Sequence, residues 1–217
     1  MPGFGTAGIA AQKKSLIATE RDPVARAQWT AETAGWPAAA VVFLDETSTQ
    51  TVMIRARGRA PRGTRVVASV PRNHGTNITC IAALTPTGIR APLVFAGALD
   101  GAIFVQWLRD RLLPTLTPGT TIVLDNLSVH RTAAARAVIE AAGCRVRFLP
   151  AYSPDFNPIE LAFAKLKTHL RGVASREYEP LLTAIGAGFD RISAADATAW
   201  YRHCGYHLPD PSPSQSP

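Results

Sequence analysis

Two short apolar runs that each end in an acidic side chain constrain this chain most. VVFL leads into Asp45, and TIVL leads into Asp125. A run of about four to eight apolar residues, rich in β-branched types and bounded by turn signals, reads as a strand buried on both faces. A carboxylate at the end of such a strand is costly unless it is paired, hydrogen-bonded or bound to metal. One such aspartate is ordinarily a turn former or a helix cap. Two of them, on central and adjacent strands, can converge on a single cation.

The rest of the chain supplies a sheet and its cover. MIRARGRA and TRVVASV read as further strands, with PRG as their turn, and NITCIAAL follows and is closed by TPTG. Asp100 caps a helix whose Ile103, Phe104, Trp107, Leu108 and Leu112 form one apolar stripe, and Pro114 ends it. RTAAARAVIEAAG is an Ala-rich helix that stops at Gly143, and RVRFLP is another strand. PIELAFAKLKTHLRG is a helix. A further helix runs near Glu177 to Ile192, with Tyr178, Leu181, Leu182, Ile185 and Phe189 inward, and a last one covers Ala194 to Tyr201. This order predicts an α/β domain over residues 38–208, a mixed sheet with helices on its faces. Residues 1–37 read as an arm or linker, helical over KKSLIATERDPVARAQWTAE with Pro23 at a start or kink. Residues 209–217 form a Pro/Ser-rich tail expected to be disordered.

Glu46 follows Asp45, so in a strand the two point to opposite faces. Val41 and Phe43 share the Asp45 side and mark it as buried, which favours Asp45 as the ligand and keeps Glu46 as the alternative. A third acid comes from a helix. Asn157 is a good N-cap, Pro158 suits the first helical position, and Glu160 falls at the third. Glu160 then either completes a capping box with Asn157 or faces the shared site. Ile159, Phe163, Leu166 and Leu170 form the buried stripe. Glu160, Ala164, Lys167 and Arg171 form a second one, with a carboxylate in the first turn and cations beyond it. That is how a metal site beside a phosphate track would look; a solvated face is the other reading. Ligands that are all oxygen point to magnesium or manganese rather than zinc.

The net charge of +7 makes polyanions natural partners. No acidic residue occurs between Glu46 and Asp100, whereas Arg55, Arg57, Arg59, Arg62, Arg65, Arg72 and Arg90 do. Arginine suits bidentate phosphate contact, so this stretch is either a nucleic-acid surface or a solvated basic hairpin. Lys165, Lys167 and Arg171 extend the candidate DNA contacts. Cys80, Cys144 and Cys204 form no CxxC pair and fit buried thiols in a reducing cytoplasm. No apolar run approaches the roughly 18 residues of a membrane span, and the first residues lack the pattern of a signal peptide. Asp125, Ser128 and His130 do not make a convincing hydrolase triad, because the G-x-S-x-G elbow is missing. His203, Cys204 and His207 lack a fourth partner and the usual spacing for zinc.

Three segments together resemble the DDE endonuclease domain of mariner-like transposases, in particular the branch of bacterial insertion sequences. They are VVFLDETS followed by RARGRAPRGTR, then IVLDNLSVH, then LPAYSPDFNPIELAFAKLK. The interval of 34 residues between Asp125 and Glu160 is similar to the family's spacing. The resemblance implies an RNase H-like, retroviral integrase-like fold with a mixed five-stranded sheet flanked by helices. It implies that Asp45, Asp125 and Glu160 are the catalytic triad and hold two Mg2+ or Mn2+ ions. It also implies DNA strand cleavage at insertion-sequence ends and strand transfer into a short target such as TA. Asn126 and His130 match motif positions and are expected to shape the site or touch DNA; a cap on the following helix is the other reading of His130. Phe163 stands where the family often has Trp. Implied partners are double-stranded DNA, a second copy of the chain on that DNA, and a separate helix-turn-helix protein from an upstream frame. The family's usual helix-turn-helix regions are represented here only by KKSLIATERD, similar to their end. The chain therefore reads as a split-frame product, a catalytic fragment or a decayed copy.

Overall fold

A computed structural model describes residues 18–55, 58–67, 69 and 77–208. The tail reading at 209–217, the first part of the arm, and Arg57 and Arg72 lie outside the described residues.

Five strands form one mixed sheet in the order β3-β2-β1-β4-β5. They are β1 (Val41–Gln50), β2 (Asn77–Thr85), β3 (Gly88–Ala96), β4 (Thr121–Leu124) and β5 (Arg145–Phe148). β1, β2 and β3 are antiparallel neighbours, whereas β4 runs parallel to β1 and β5 parallel to β4. Parallel pairs require crossovers, and these are the helices α2 (Gly101–Trp107) and α3 (Ala133–Ala141). α2 continues through a widened π turn at Leu108–Leu112. The other face carries α4 (Pro158–Val173), α5 (Tyr178–Asp190) and α6 (Ala194–His203), and α1 (Pro23–Thr33) joins the same side.

Alternation along β1 divides the core. Val41 and Phe43 pack with Ile159, Phe163 and Leu166 of α4, while Val42 and Leu44 pack with Phe104 and Trp107 of α2. The α4 layer is further fixed by Tyr201, whose buried hydroxyl is shared between the carbonyls of Val41 at 2.7 Å and Leu84 at 2.9 Å. Trp29 of α1 is buried in that layer and donates to the Tyr206 hydroxyl at 3.1 Å. Arg21 and Arg26 bind Asp155 at 2.7 Å, and Arg26 lies 4.0 Å from the Phe156 ring centre, so α1 grips the loop that enters α4.

Two expectations change. MIRARGRA and TRVVASV form no strand among the described residues; only their turn appears, closed by Thr64 N–H donating to the Pro61 carbonyl at 3.0 Å. Residues 55–60 alternate arginine with alanine and glycine before Pro61, and the described residues of 58–69 are exposed, Val66 and Val67 included, so nothing packs against them as it would on a strand. The remaining strand is β3, hidden in the sequence by Pro92. β3 is an edge strand, and a register shift opposite Ile81–Ala83 absorbs Pro92 while Ala91 takes φ +49°. Trp107 Nε1 donates to the Ala91 carbonyl at 2.7 Å and satisfies that irregularity. Tyr178 also departs from expectation: it is exposed at the start of α5, whereas Leu181, Ile185 and Phe189 are buried. Among the described residues no helix is long and apolar enough to cross a membrane.

Candidate active site

Phe43 pairs with Val123 at the end of the β1–β4 ladder, so two residues farther on Asp45 and Asp125 lie abreast. Asp45 follows the Val41–Phe43 face towards α4 and is buried. Its Oδ1 accepts from the Glu46 amide at 2.8 Å, and its Oδ2 accepts from Asn157 Nδ2 at 2.8 Å. Asn157 therefore does not make the side-chain cap its position suggests, and no capping box forms with Glu160. Glu160 is the exposed residue in the first turn of α4, after buried Pro158 and Ile159, and faces the same cleft. The cleft is about 560 Å³, with Asp45, Asp125, Asn126, Tyr152, Asn157 and Glu160 among its walls.

Electrostatics bind these acids into one group. Burial pushes the Asp45 carboxyl up to about 8, and the negative charges of Glu160, Glu46 and Asp125 add to it. Burial also raises Glu160; Lys167 opposes this, and Asp125 and Glu46 reinforce it. Asp125 moves the other way. Partial burial would raise it, but the His130 ring, the Leu127 amide and the His130 charge outweigh that and lower it. His130 Nδ1 lies 2.7 Å from Asp125 Oδ1, and Leu127 N–H donates to the same oxygen at 2.9 Å. The second ring nitrogen of His130 stands 3.1 Å from Glu46 Oε2, an ion-pair contact without good hydrogen-bond alignment. Burial alone would lower His130, yet the contacts with Asp125 and Glu46 and their charges lift it to about 9. With both nitrogens facing carboxylates, His130 has none left for Ser128. Asn126 donates from Nδ2 to the Leu149 carbonyl at 2.6 Å and ties the turn after β4 to the end of β5.

The donors suit a hard divalent cation: they are all oxygen, and their mutual repulsion is what a positive charge would relieve. Asn157 Oδ1 is buried with no hydrogen-bond partner among the described residues, so one further oxygen stands beside Asp45. Among the described residues no three acidic, histidine or cysteine side chains already stand close enough to hold one ion. The carboxylates thus share a cleft rather than close on a point. Among the described residues no hydrogen bond or ion pair fastens Glu160, the exposed member of the group.

The basic residues divide into groups. Arg59, Arg62 and Arg65 are exposed on the segment after β1. Arg55 lies against Gly172 and lines a groove of about 510 Å³ with Lys165, His169 and Arg191. Lys165 is bound to Asp196 at 2.7 Å. Lys167 is half-buried and close enough to act on the Glu160 charge, and Arg171 is exposed in the last turn of α4. Residue types alone gave no sign of the work of Asn157 and Glu46. An asparagine before a proline reads as a cap, and Glu46 reads only as the rival of Asp45.

Among curated proteins none matches the chain. Solved structures do. A Mos1 transposase paired-end complex with the left transposon end has a TM-score of 0.72 at 15% identity, covering 92% of this chain and 64% of that one. The Mos1 strand transfer complex has a TM-score of 0.70 at 15% identity, with the same coverage of 92% and 64%. The Mos1 transposase catalytic domain, in a structure with raltegravir and Mg, has a TM-score of 0.62 at 14% identity, covering 83% of this chain and 88% of that one. The fold is therefore the RNase H-like fold of that catalytic domain, and this chain spans 64% of the fuller transposase chains. The DDE superfamily endonuclease model matches residues 40–181, and the chain belongs to that family.

Proposed function

We propose that this chain cuts DNA strands at insertion-sequence ends and transfers them to a target, with Asp45, Asp125 and Glu160 holding magnesium or manganese, two ions in all. One observation carries the reading. Three carboxylates distant in sequence meet around an open cleft, where burial and mutual repulsion hold Asp45 at about 8. Such a cluster costs folding energy unless a cation enters it. Divalent ions bound there would activate the attacking oxygen and stabilise the leaving oxygen of a phosphodiester.

The chain's own groups prepare the reaction. Asp45 offers oxygens from the middle strand of the sheet, Asp125 from the turn just past the end of the neighbouring strand β4, and Glu160 from the first turn of α4. Asn157 orients Asp45 by donating to Oδ2. Lys167 and Arg171 along α4, with Arg55, Arg59, Arg62 and Arg65, hold backbone phosphates of double-stranded DNA. Lys165 contributes only when Asp196 releases it. DNA as the partner is supported by the likeness to a transposase solved with a transposon end and in a strand transfer complex. Its paired-end state supports a homodimer on DNA.

The test is nicking of supercoiled plasmid by the purified chain in Mg2+ or Mn2+. Chelator and Asp125→Asn should each abolish it, with the circular dichroism of the variant intact. Undiminished nicking by Asp125→Asn would remove that residue from the mechanism. A second assay offers pre-cut ends and a target. Nicking without joining would identify a hydrolytic nuclease. DNA binding with no metal-dependent chemistry would identify a DNA-binding remnant.

A further inference from the structure

Glu46 faces the α2 side of the sheet, away from Asp45, yet it is not idle. The His130 ring is fully buried, with its centre 4.7 Å from that of Phe104 in α2. Nδ1 meets Asp125 and the other ring nitrogen meets Glu46. We propose that Glu46 and His130 are positioning residues: Glu46 fixes the ring, and the ring fixes the Asp125 carboxylate so that Oδ2 stays aimed at the cleft. This rests on the proposed role of Asp125 as a metal ligand.

The geometry supports a chain of restraint. Asp125 lies just past the end of β4, where the sheet no longer orders it. Its Oδ1 is already committed to the His130 ring and the Leu127 amide, while among the described residues no hydrogen bond takes Oδ2. The Asp125–His130 contact is local, within one turn closed by His130 N–H donating to the Leu127 carbonyl at 3.0 Å. Local contacts alone would let turn and carboxylate move together. Glu46 comes from β1, the middle strand, and ties that turn to the most rigid part of the sheet. Groups that orient a metal-binding side chain typically change metal affinity about 10- to 100-fold when removed.

Manganese binding to the intact chain, read by electron paramagnetic resonance, tests this without requiring turnover. His130→Leu keeps an apolar side chain against Phe104, and Glu46→Ala acts on a partly exposed position, so one variant can report if the other misfolds. Each is expected to weaken Mn2+ binding by roughly tenfold or more, and to raise the Mn2+ needed for half-maximal nicking. The KM for DNA should be unchanged. The double variant should be no worse than the more affected single one, because one restraint is lost either way. Glu46→Gln retains an oxygen at the same reach and should recover most of the affinity. Folded single variants that bind Mn2+ like the wild type would overturn the proposal. So would losses that multiply in the double variant, since Glu46 would then act on its own. Asp125→Asn separates the two levels. If it too binds Mn2+ normally, the metal site itself is wrong; if it alone loses Mn2+, only the positioning role is.

Discussion

Replacing Asp45 with asparagine should make the metal-free protein more stable at pH 8 while abolishing the metal-dependent nicking proposed above. The folded Asp45 holds its proton to about 8, whereas its ordinary value is 3.8. Above about pH 4 the unfolded chain loses this proton and the folded chain does not, so unfolding is increasingly favoured until about pH 8. A rise from 3.8 to about 8, at about 1.4 kcal/mol for each tenfold change, gives an upper figure on the order of 6 kcal/mol. Water in the open cleft and small movements of Asn157 relieve part of this, leaving an expected gain of about 2–4 kcal/mol for Asp45→Asn. The neutral amide fits the existing bonds. Its oxygen can accept from the Glu46 amide, and its NH2 can donate to Asn157 Oδ1 once the Asn157 amide turns over. The assay is urea unfolding of both proteins in chelator across pH 4 to 8. The gap should open as pH rises, and manganese should close it by stabilising only the wild type. A gap of equal size at pH 4 and pH 8, or a variant less stable at pH 8, would refute the reasoning.

Three further outcomes follow from the same contacts. His130 is held at about 9 against an ordinary 6.5, so its contribution is complete below pH 6.5 and lost as pH rises through about 9. That contribution is on the order of 3 kcal/mol, and urea unfolding of His130→Leu in chelator should lack this slope. Tyr201→Phe leaves the Val41 and Leu84 carbonyls without their shared donor and should cost about 1–2 kcal/mol in chemical denaturation. Gly188→Ala drives a methyl group into Leu166 Cδ1 and close to His169, so the buried Leu166 side chain must repack; a loss of about 1–3 kcal/mol, seen as a lower Tm, is expected.

Elements with a strong period were legible from residues alone, and those governed by the edge of the sheet were not. The buried stripe of α4, with Asn157 and Pro158 at its entrance, appears where its spacing places it. Both apolar runs that end in aspartate are strands, and they are neighbours. β3 escaped notice because Pro92 argues against a strand unless the strand lies at an edge, and edge position is a tertiary fact. The arginine-rich segment erred in the opposite sense. Its alternation of charged and small residues imitates a strand, but neither set can be buried. Within the site, residue types identified the acids but not what orients them. Asn157 and Asp45 lie 112 positions apart, and their bond exists only because α4 starts beside the middle of β1.

The alternation of β1 has a consequence for how a site of this kind can be altered. Asp45 and Glu46 are successive acids, yet one is packed on the α4 layer and the other reaches the α2 layer through His130 and Phe104. Exchanging them would keep the charge and composition of the strand unchanged. It would nevertheless push a carboxylate one methylene longer against Asn157 and leave His130 facing one a methylene shorter. The negative charge of the cluster is thus not the quantity that matters. On the proposed role of the site, what matters is the reach of each acid within its own layer, because hydrogen bonds to fixed neighbours set the direction of each oxygen. A variant carrying Asp45→Glu with Glu46→Asp should therefore fold with the same net charge and bind manganese more weakly than the wild type. Equal affinity in that exchanged chain would mean that charge alone builds the site.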